Sequence, residues 1–469
     1  MQNAVPTTPK TRTTAPLPAD HAFEQALGDH LQGRWQAAEA QYRSLLAGAP
    51  AHAPSLHYLG VLRHQQGDAE EGNALVQQSL QLQPDHADWH NTWGNMLAAQ
   101  GRGDEAAAAF VAALERDARH ADAWNNLGAV LLAAGQAEDA VAALRNAVEL
   151  RPALRAAHQH LGDAYQQLGD AHAAALSYCA EYVLRPKQET QRDMLGIAYS
   201  QLGLHDEAAQ VYAAWLADEP GHPIASHLLA ASRGKAVDDR VPAEFLQRYF
   251  DGYAETFEHK LVGGLGYSVP PLVHRLLAES ATPAASLRIL DAGCGTGLCG
   301  PQLKPFALQL SGVDLSEKSL AVAHGKGVYD SLHRQDIVDY LGAGLQAHWD
   351  LLVAADVLIY FGDLKPFFAA AHAALATGGR MLASFEIWDE PHHARNDAPC
   401  DAIHTARVAA EPAAGYALQP SGRYSHRESY LLHALVAAGF TVQERLPIHI
   451  RNELGRPVQG LLLLAQKAQ

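Results

Sequence analysis

Cysteine is scarce in this 469-residue chain: Cys179, Cys294, Cys299 and Cys400, none in CxxC spacing. That excludes a disulfide framework and a thiolate metal site, and it fits reduced thiols in a cytoplasm. Long apolar runs are missing as well. GLLLLA at 460–465 is only strand-sized, so no membrane span is expected. The 26 histidines include no HExxH-like pair, and no metal site is expected. Basic charge is short: 35 Lys and Arg stand against 51 Asp and Glu, a formal net charge of −16. The deficit is local, because residues 20–220 hold 12 basic and 26 acidic side chains, a net of −14. A surface of that sign repels phosphate backbones and argues against a nucleic-acid partner. Residues 1–18 are rich in Thr and Pro, lack an apolar core of the signal-peptide kind, and read as a disordered tail.

What the first half does have is a period. Proline falls at Pro50, Pro84, Pro152, Pro186 and Pro220, with Ala118 in the missing register. Glycine falls at Gly33, Gly67, Gly101, Gly135, Gly169 and Gly203, each 34 residues after the last. A second series, Gly60, Gly94, Gly128, Gly162 and Gly196, keeps the same step. The unit 121–152 reads as two helices, the first with Trp124, Leu127 and Leu131 on one face and the second with Ala140, Leu144 and Ala147. Gly135 permits the turn between them and Pro152 ends the second. This pattern resembles the tetratricopeptide repeat. Six units plus a capping helix at 223–234 are expected over 19–234, an all-α solenoid.

The resemblance implies a binding groove lined by the first helix of each unit. The matching positions include Asp88, Asn91, Asn95, Asp122, Asn125, Gln159, Asp163, Gln166 and Asp193. Side-chain amides in an acidic groove suit a peptide backbone, so a peptide or protein acceptor or partner is expected, with Asn91, Asn95, Asn125 and Asp163 as the candidate contacts. The alternative is that these are solvated helix residues.

After a polar stretch around 234–244 the pattern changes to apolar strand-like runs alternating with amphipathic helices. That order predicts an α/β doubly wound sheet, with ligands beyond the C-terminal strand ends. Residues 235–285 are read as linker and lid helices, and 286–469 as the sheet domain. Within SLRILDAGCGTGLCG (286–300) two registers compete. From Gly295 it matches G-x-G-x-x-G, a dinucleotide fingerprint. From Asp291 it is D-x-G-x-G-x-G, through Gly293, Gly295 and Gly297. The second register starts the loop where the strand stops, and Pro301 marks a helix only beginning. An anion at the strand end would repel a pyrophosphate but suits a cationic ligand. S-adenosylmethionine is therefore the expected cofactor.

Three more acidic strand ends come next in order. Asp314 can hold both ribose hydroxyls. Asp336 can accept from the adenine amino group while Ile337 packs on the ring, unless it is only a helix N-cap. Asp356 lies beside the methionine end. Ala292 and Cys294 in the loop, and Leu315 after Asp314, complete the expected contact set. With these residues the segment 245–466 resembles the Rossmann-like class I S-adenosylmethionine-dependent methyltransferases. The stretches RYFDGYAETFEHKLVGGLGYSVPPLV (248–273) and GRYSHRESYLLHALVAAGF (422–440) resemble a bacterial group in which tetratricopeptide repeats precede that domain. The resemblance implies that Tyr253 and Phe257 help cover the cofactor, with Tyr267 nearby.

Methyl transfer from a sulfonium needs alignment first, and a base for hydroxyl or ammonium acceptors. Glu386 is the first candidate base, with an ion pair to Arg423 as its alternative role. Tyr360, His392, His393, Tyr424 and His426 are the others, and the sequence does not choose among them. Two other functions stay open: a repeat scaffold with a catalytically degenerate cofactor-binding domain, and a methyltransferase for a free small molecule.

Overall fold

A computed structural model describes residues 19–234, 239–280, 284–344, 347–388 and 414–468. The 1–18 tail, Cys400, His392 and His393 lie outside the described residues. Packing divides the chain into two compact units, residues 1–169 and 170–469.

In the first unit, helices of 13 and 14 residues alternate from Ala19–Leu31 to Arg155–Gln167. The two glycine series have separate causes. Gly135 closes the turn at φ 78°, a left-handed conformation that costs other residues energy. Gly128 lies where the paired helices touch, and a Cβ there would stand 2.5 Å from Leu144. The core between helices is built from Leu97, Phe110, Leu114 and Leu127.

The second unit begins with helices that are repeats by sequence: Ala171–Val183, Arg192–Gln201, His205–Asp218 and Pro223–Ser232. They pack against elements C-terminal to them. Tyr212, Leu228 and Ala231 share one apolar cluster with Phe245 and Leu246 of the helix Ala243–Tyr253 and with Leu418 and Tyr424. The compact boundary thus falls at 169/170, ahead of the change of sequence pattern near 234.

The sheet is built from β1 (Leu287–Ala292), β2 (Ala307–Asp314), β3 (Ser331–Arg334), β4 (Trp349–Ala354), β5 (Leu375–Glu386), β8 (Phe440–Glu453) and β9 (Arg456–Lys467), and β6 (Tyr416–Leu418) and β7 (Tyr424–His426) form a separate hairpin. Its order is β3-β2-β1-β4-β5-β9-β8. β1 to β5 run parallel, whereas β9 is antiparallel to both β5 and β8. Ile289, Leu290, Leu351, Leu352 and Val353 are fully buried, as strands covered on both faces must be. The strand order reverses between β1 and β4, which opens a crevice at their C-terminal ends. Two connections matter for that crevice. β8 and β9 are joined by Leu454 and Gly455, both at positive φ (47° and 70°), the geometry of a type I′ turn. The β6–β7 hairpin, which the sequence pattern did not predict, brings Arg423 toward the same side.

Candidate functional site

A cleft of about 240 Å³ lies over the ends of β1, β2 and β4. Its floor is the loop after β1. Gly293, Gly295 and Gly297 hold φ values of 73°, 52° and 82°. A Cβ on Gly293 would run into Val357, while one on Gly295 would meet no atom within 4 Å, because the cleft lies there. The helix Gly300–Leu303 starts after the loop with Pro301 in its first turn, as the Asp291 register requires. Thr296 in the cleft wall has a buried hydroxyl without a hydrogen-bond partner.

The acidic strand ends differ in what they are already doing. Asp291 is 2 % exposed and accepts from the Tyr329 hydroxyl at 2.6 Å. Burial pushes its carboxyl up to about 7. Asp314 accepts from the Gly295 and Ser316 backbone N–H groups at 2.9 and 2.8 Å, and burial raises it too. Asp336 caps the helix Ile337–Gly342 through the Val338 and Asp339 N–H groups and is also ion-paired to Arg240. It therefore fills the capping role held as its alternative, and it still lines the cleft beside Ile337. Asp356 sits at φ 55°, a conformation that is costly outside glycine and that a surrounding structure must hold in place. Its backbone N–H donates to Ser384 at 2.8 Å, and its carboxylate accepts from Arg451 at 2.7 Å.

Arg451 is the centre of a buried charge cluster. It is 3 % exposed and binds Asp356, Glu386 and Glu453 at once. A register shift in β8 between His449 and Arg451 lets Ile450 and Arg451 both be buried although they are neighbours in a strand. Arg423 joins the cluster through Glu386, at 3.0 Å, and Glu453. Despite that cation pair, burial holds the Asp356 carboxyl up at about 6.

The remaining expected residues separate into two groups. Tyr267, Cys294, Leu315 and Tyr360 line the cleft, as does Phe257. Ala292, Gly297, Tyr253 and Glu386 do not. Ala292 is fully buried beneath the loop, and Tyr253 packs on Tyr249 with ring centroids 5.1 Å apart. Glu386, the first candidate base with an ion pair to Arg423 as its alternative role, is ion-paired to both Arg423 and Arg451. Tyr424 is 1 % exposed. His426 is fully buried and pushed down to about 4 by burial, so it is neutral at pH 7. The Tyr360 phenol is raised by the same cause and stays protonated. Arg240, Arg451 and Glu453, and Tyr249 and Phe250 of the quoted 248–273 stretch, also line the cleft although no spacing singled them out.

In the first unit the expected groove amides bond to one another. Asn126 donates to both Asn91 and Asn95 at 3.0 Å and accepts from Asn125 at 3.1 Å. Asn125 is 7 % exposed, and its amide oxygen lies 3.1 Å from His160 Nδ1. It is a buried inter-repeat contact rather than an open one. Asn91 is half-buried, Asn95 is exposed, and Asp163 is half-buried with its charge felt by His160.

Residues 262–445 match the family model described as a methyltransferase domain, and residues 91–154 match that of the tetratricopeptide repeat. Among curated proteins, the ubiquinone biosynthesis O-methyltransferase of Bordetella parapertussis is 30% identical over 119 residues, 25% of this chain and 49% of the relative. That of Nitrobacter winogradskyi is 32% identical over 110 residues, 23% of this chain and 41% of the relative. The chain thus spans half or less of the length of these relatives. Among solved structures, the magnesium protoporphyrin IX methyltransferase of Synechocystis PCC 6803 has a TM-score of 0.34 at 20% identity, over 50% of this chain and 99% of that one. The pilF protein of Pseudomonas aeruginosa has a TM-score of 0.35 at 18% identity, over 45% of this chain and 96% of that one.

Proposed function

For this chain, which joins tetratricopeptide repeats to a methyltransferase domain, we propose S-adenosylmethionine-dependent methyl transfer to an acceptor presented by the repeats. The observation that carries the cofactor reading is the glycine loop between Asp291 and Asp314, open on the cleft at Gly295. The residues present fit that cofactor. A carboxyl as desolvated as Asp291 gains most from a cationic neighbour, and the unpaired Thr296 hydroxyl has a donor to offer a carboxylate. A pyrophosphate would instead sit against two buried acids. Asp314 keeps lone pairs beyond its backbone bonds, which suits a ribose diol.

When bound, the cofactor supplies an activated methyl group on a sulfonium. The chain's own residues then align the acceptor and manage its proton. Phe250, Phe257 and Tyr360 wall the cleft with apolar surface and exclude water. Asp356 is the group we assign as proton acceptor: it lines the cleft, and with its carboxyl at about 6 it is ionised at pH 7 yet basic enough to take a proton. Tyr360 donates a hydrogen bond rather than accepting a proton.

The acceptor proposal rests on the acidic balance of the repeats, 26 acidic against 12 basic side chains over residues 20–220 with Asp88 exposed, which favours a basic or neutral peptide or protein. Calorimetry with S-adenosylmethionine and with NAD tests the cofactor, and tight NAD binding overturns it. Incubating a lysate with isotopically labelled cofactor, then analysing it by mass spectrometry, tests the acceptor. Label found in free small molecules and absent from protein would refute recruitment by the repeats.

A further inference from the structure

We propose that two histidines of the repeat helices, His172 and His227, are positioning residues of the cleft, each holding the hairpin turn that carries one charged group into it. The inference rests on the cofactor reading of the cleft given above and assigns the repeats a second role, as part of the cleft's construction.

The geometry is the same at both places. His227, in the helix Pro223–Ser232, is 7 % exposed, and its Nε2 lies 2.8 Å from the Gly422 carbonyl oxygen. The next residue is Arg423, which lines the cleft. His172, in the first turn of Ala171–Val183, has Nδ1 2.7 Å from the Leu454 carbonyl oxygen. The residue before Leu454 is Glu453, which also lines the cleft. A carbonyl only accepts, so each ring nitrogen is the N–H donor, and this fixes both tautomers. The two turns are shaped to their supports. A Cβ on Gly455 would stand 2.5 Å from the His172 backbone nitrogen, and one on Gly422 would stand 3.2 Å from Leu228. Leu454 is held at φ 47°, where a branched side chain gains nothing by itself. The hydrogen bond from His172 is an external reason for that conformation.

The two charges belong together. Arg423 and Glu453 pair with each other and reach Asp356 through Arg451 and Glu386. Moving either turn shifts one charge of fixed sign relative to the cleft and leaves the glycine loop, on the far strands, in place. The two histidines therefore have opposite electrostatic effects at the same end of the cleft.

That opposition supplies the test, made on the full chain with two ligands. S-adenosylhomocysteine has no group where the transferable methyl stands, and sinefungin has an ammonium there. The readout is the ratio of their dissociation constants, sinefungin over S-adenosylhomocysteine. His227→Leu frees the turn of a cation and should lower the ratio about three- to ten-fold, whereas His172→Leu frees that of an anion and should raise it as much. S-adenosylhomocysteine itself should bind within about twofold of wild type in both. His227→Gln and His172→Asn, whose amide N–H groups overlay the ring donors, should restore the wild-type ratio. If a Leu variant does not fold, His227→Asn and His172→Gln misplace the donor by one bond and carry the same expectation. Shifts of the same sign, no shift, or failure of the matched amides to rescue would overturn the positioning role. A wild-type chain that binds neither ligand would instead overturn the reading of the cleft, and the positioning role with it.

Discussion

The polar residues of the repeats and those of the cleft were equally conspicuous by spacing, yet they end in opposite states. Asn91, Asn95, Asn125, Asn126 and His160 bond to one another across successive repeats. Asp291, Asp314, Asp356 and Thr296 line a cavity with hydrogen-bonding capacity left over. Regular spacing puts like residues on one face in both cases. What differs is the neighbour: a stacked repeat presents the same face one step on, so an amide meets an amide. The end of a parallel strand at an order reversal meets empty space. The period of a solenoid therefore predicts satisfaction, and the switch point of a sheet predicts availability.

The largest expected effect sharpens the second half of this contrast. Arg451→Met leaves Asp356, Glu386 and Glu453 with Arg423 alone, and breaking a buried pair in this way costs about 3–5 kcal/mol. Thermal unfolding should show that loss at pH 7 and a smaller one near pH 5, where Asp356 can protonate. Because Arg451 lowers the Asp356 carboxyl, its removal should also carry that group's titration upward from about 6. An unchanged melting curve would mean the cluster is solvated.

Next in size is Asp314→Ala. Removing a carboxylate placed for two ribose hydroxyls should weaken S-adenosylmethionine by about 1.5–3 kcal/mol, roughly 10–150-fold in calorimetry. The repeats should melt as before. A change under about threefold would show that the backbone bonds to Gly295 and Ser316 exhaust this side chain.

Legibility in the sequence divides the molecule along the same line. The 34-residue step was legible because each turn requires a glycine and each helix contact excludes a Cβ, so packing writes itself into position. The strand ends were legible because Asp291, Asp314 and Asp356 each close an apolar run. The charge cluster was legible only in its Glu386–Arg423 pair, since Arg451 and Glu453 come from a distant segment and join it only in the folded chain. Arg451 even falls on the outward phase of LPIHIRNE, between the apolar positions Leu446, Ile448 and Ile450 and the strand end, and only a bulge turns it inward. The β6–β7 hairpin escaped because strands of three residues carry no period. Asn126 escaped because a neighbouring pair of asparagines shows no preference for which one faces the next repeat.

A smaller effect separates function from stability in the cleft. Asp291 is raised to about 7 when folded, so the folded state keeps that proton longer than the unfolded chain does. Its contribution to stability therefore falls as pH rises from about 4 to about 7 and stays low above that. Asp291→Asn should be neutral near pH 4 and stabilising at pH 8, by about 2 kcal/mol, half of what such a shift converts to, because the bond from Tyr329 weakens as well. The same variant should bind S-adenosylmethionine more weakly. Equal stability of the two proteins at pH 8 would show that water reaches this carboxyl.

The smallest effect bears on whether the repeat amides are structural or receptive. Asn126→Ala removes the side chain that bridges Asn91 and Asn95 and accepts from Asn125. These contacts are half-exposed, so the lost bonds should cost about 1 kcal/mol, and Asn125, being buried, should account for most of it. If the amides serve stacking, the cost appears as a lower denaturation midpoint of the first unit, with the cleft's affinity for S-adenosylmethionine untouched. If instead they serve a peptide acceptor, Asn126→Ala frees Asn91 and Asn95 to meet it, and acceptor KM falls or holds. The triple change Asn91→Ala, Asn95→Ala, Asn125→Ala should then raise KM by roughly 10-fold or more. On the stacking reading, both variants lower the midpoint and neither changes KM by more than about twofold. Denaturant titrations and steady-state kinetics on one identified acceptor would place the asparagines on one side of the contrast or the other.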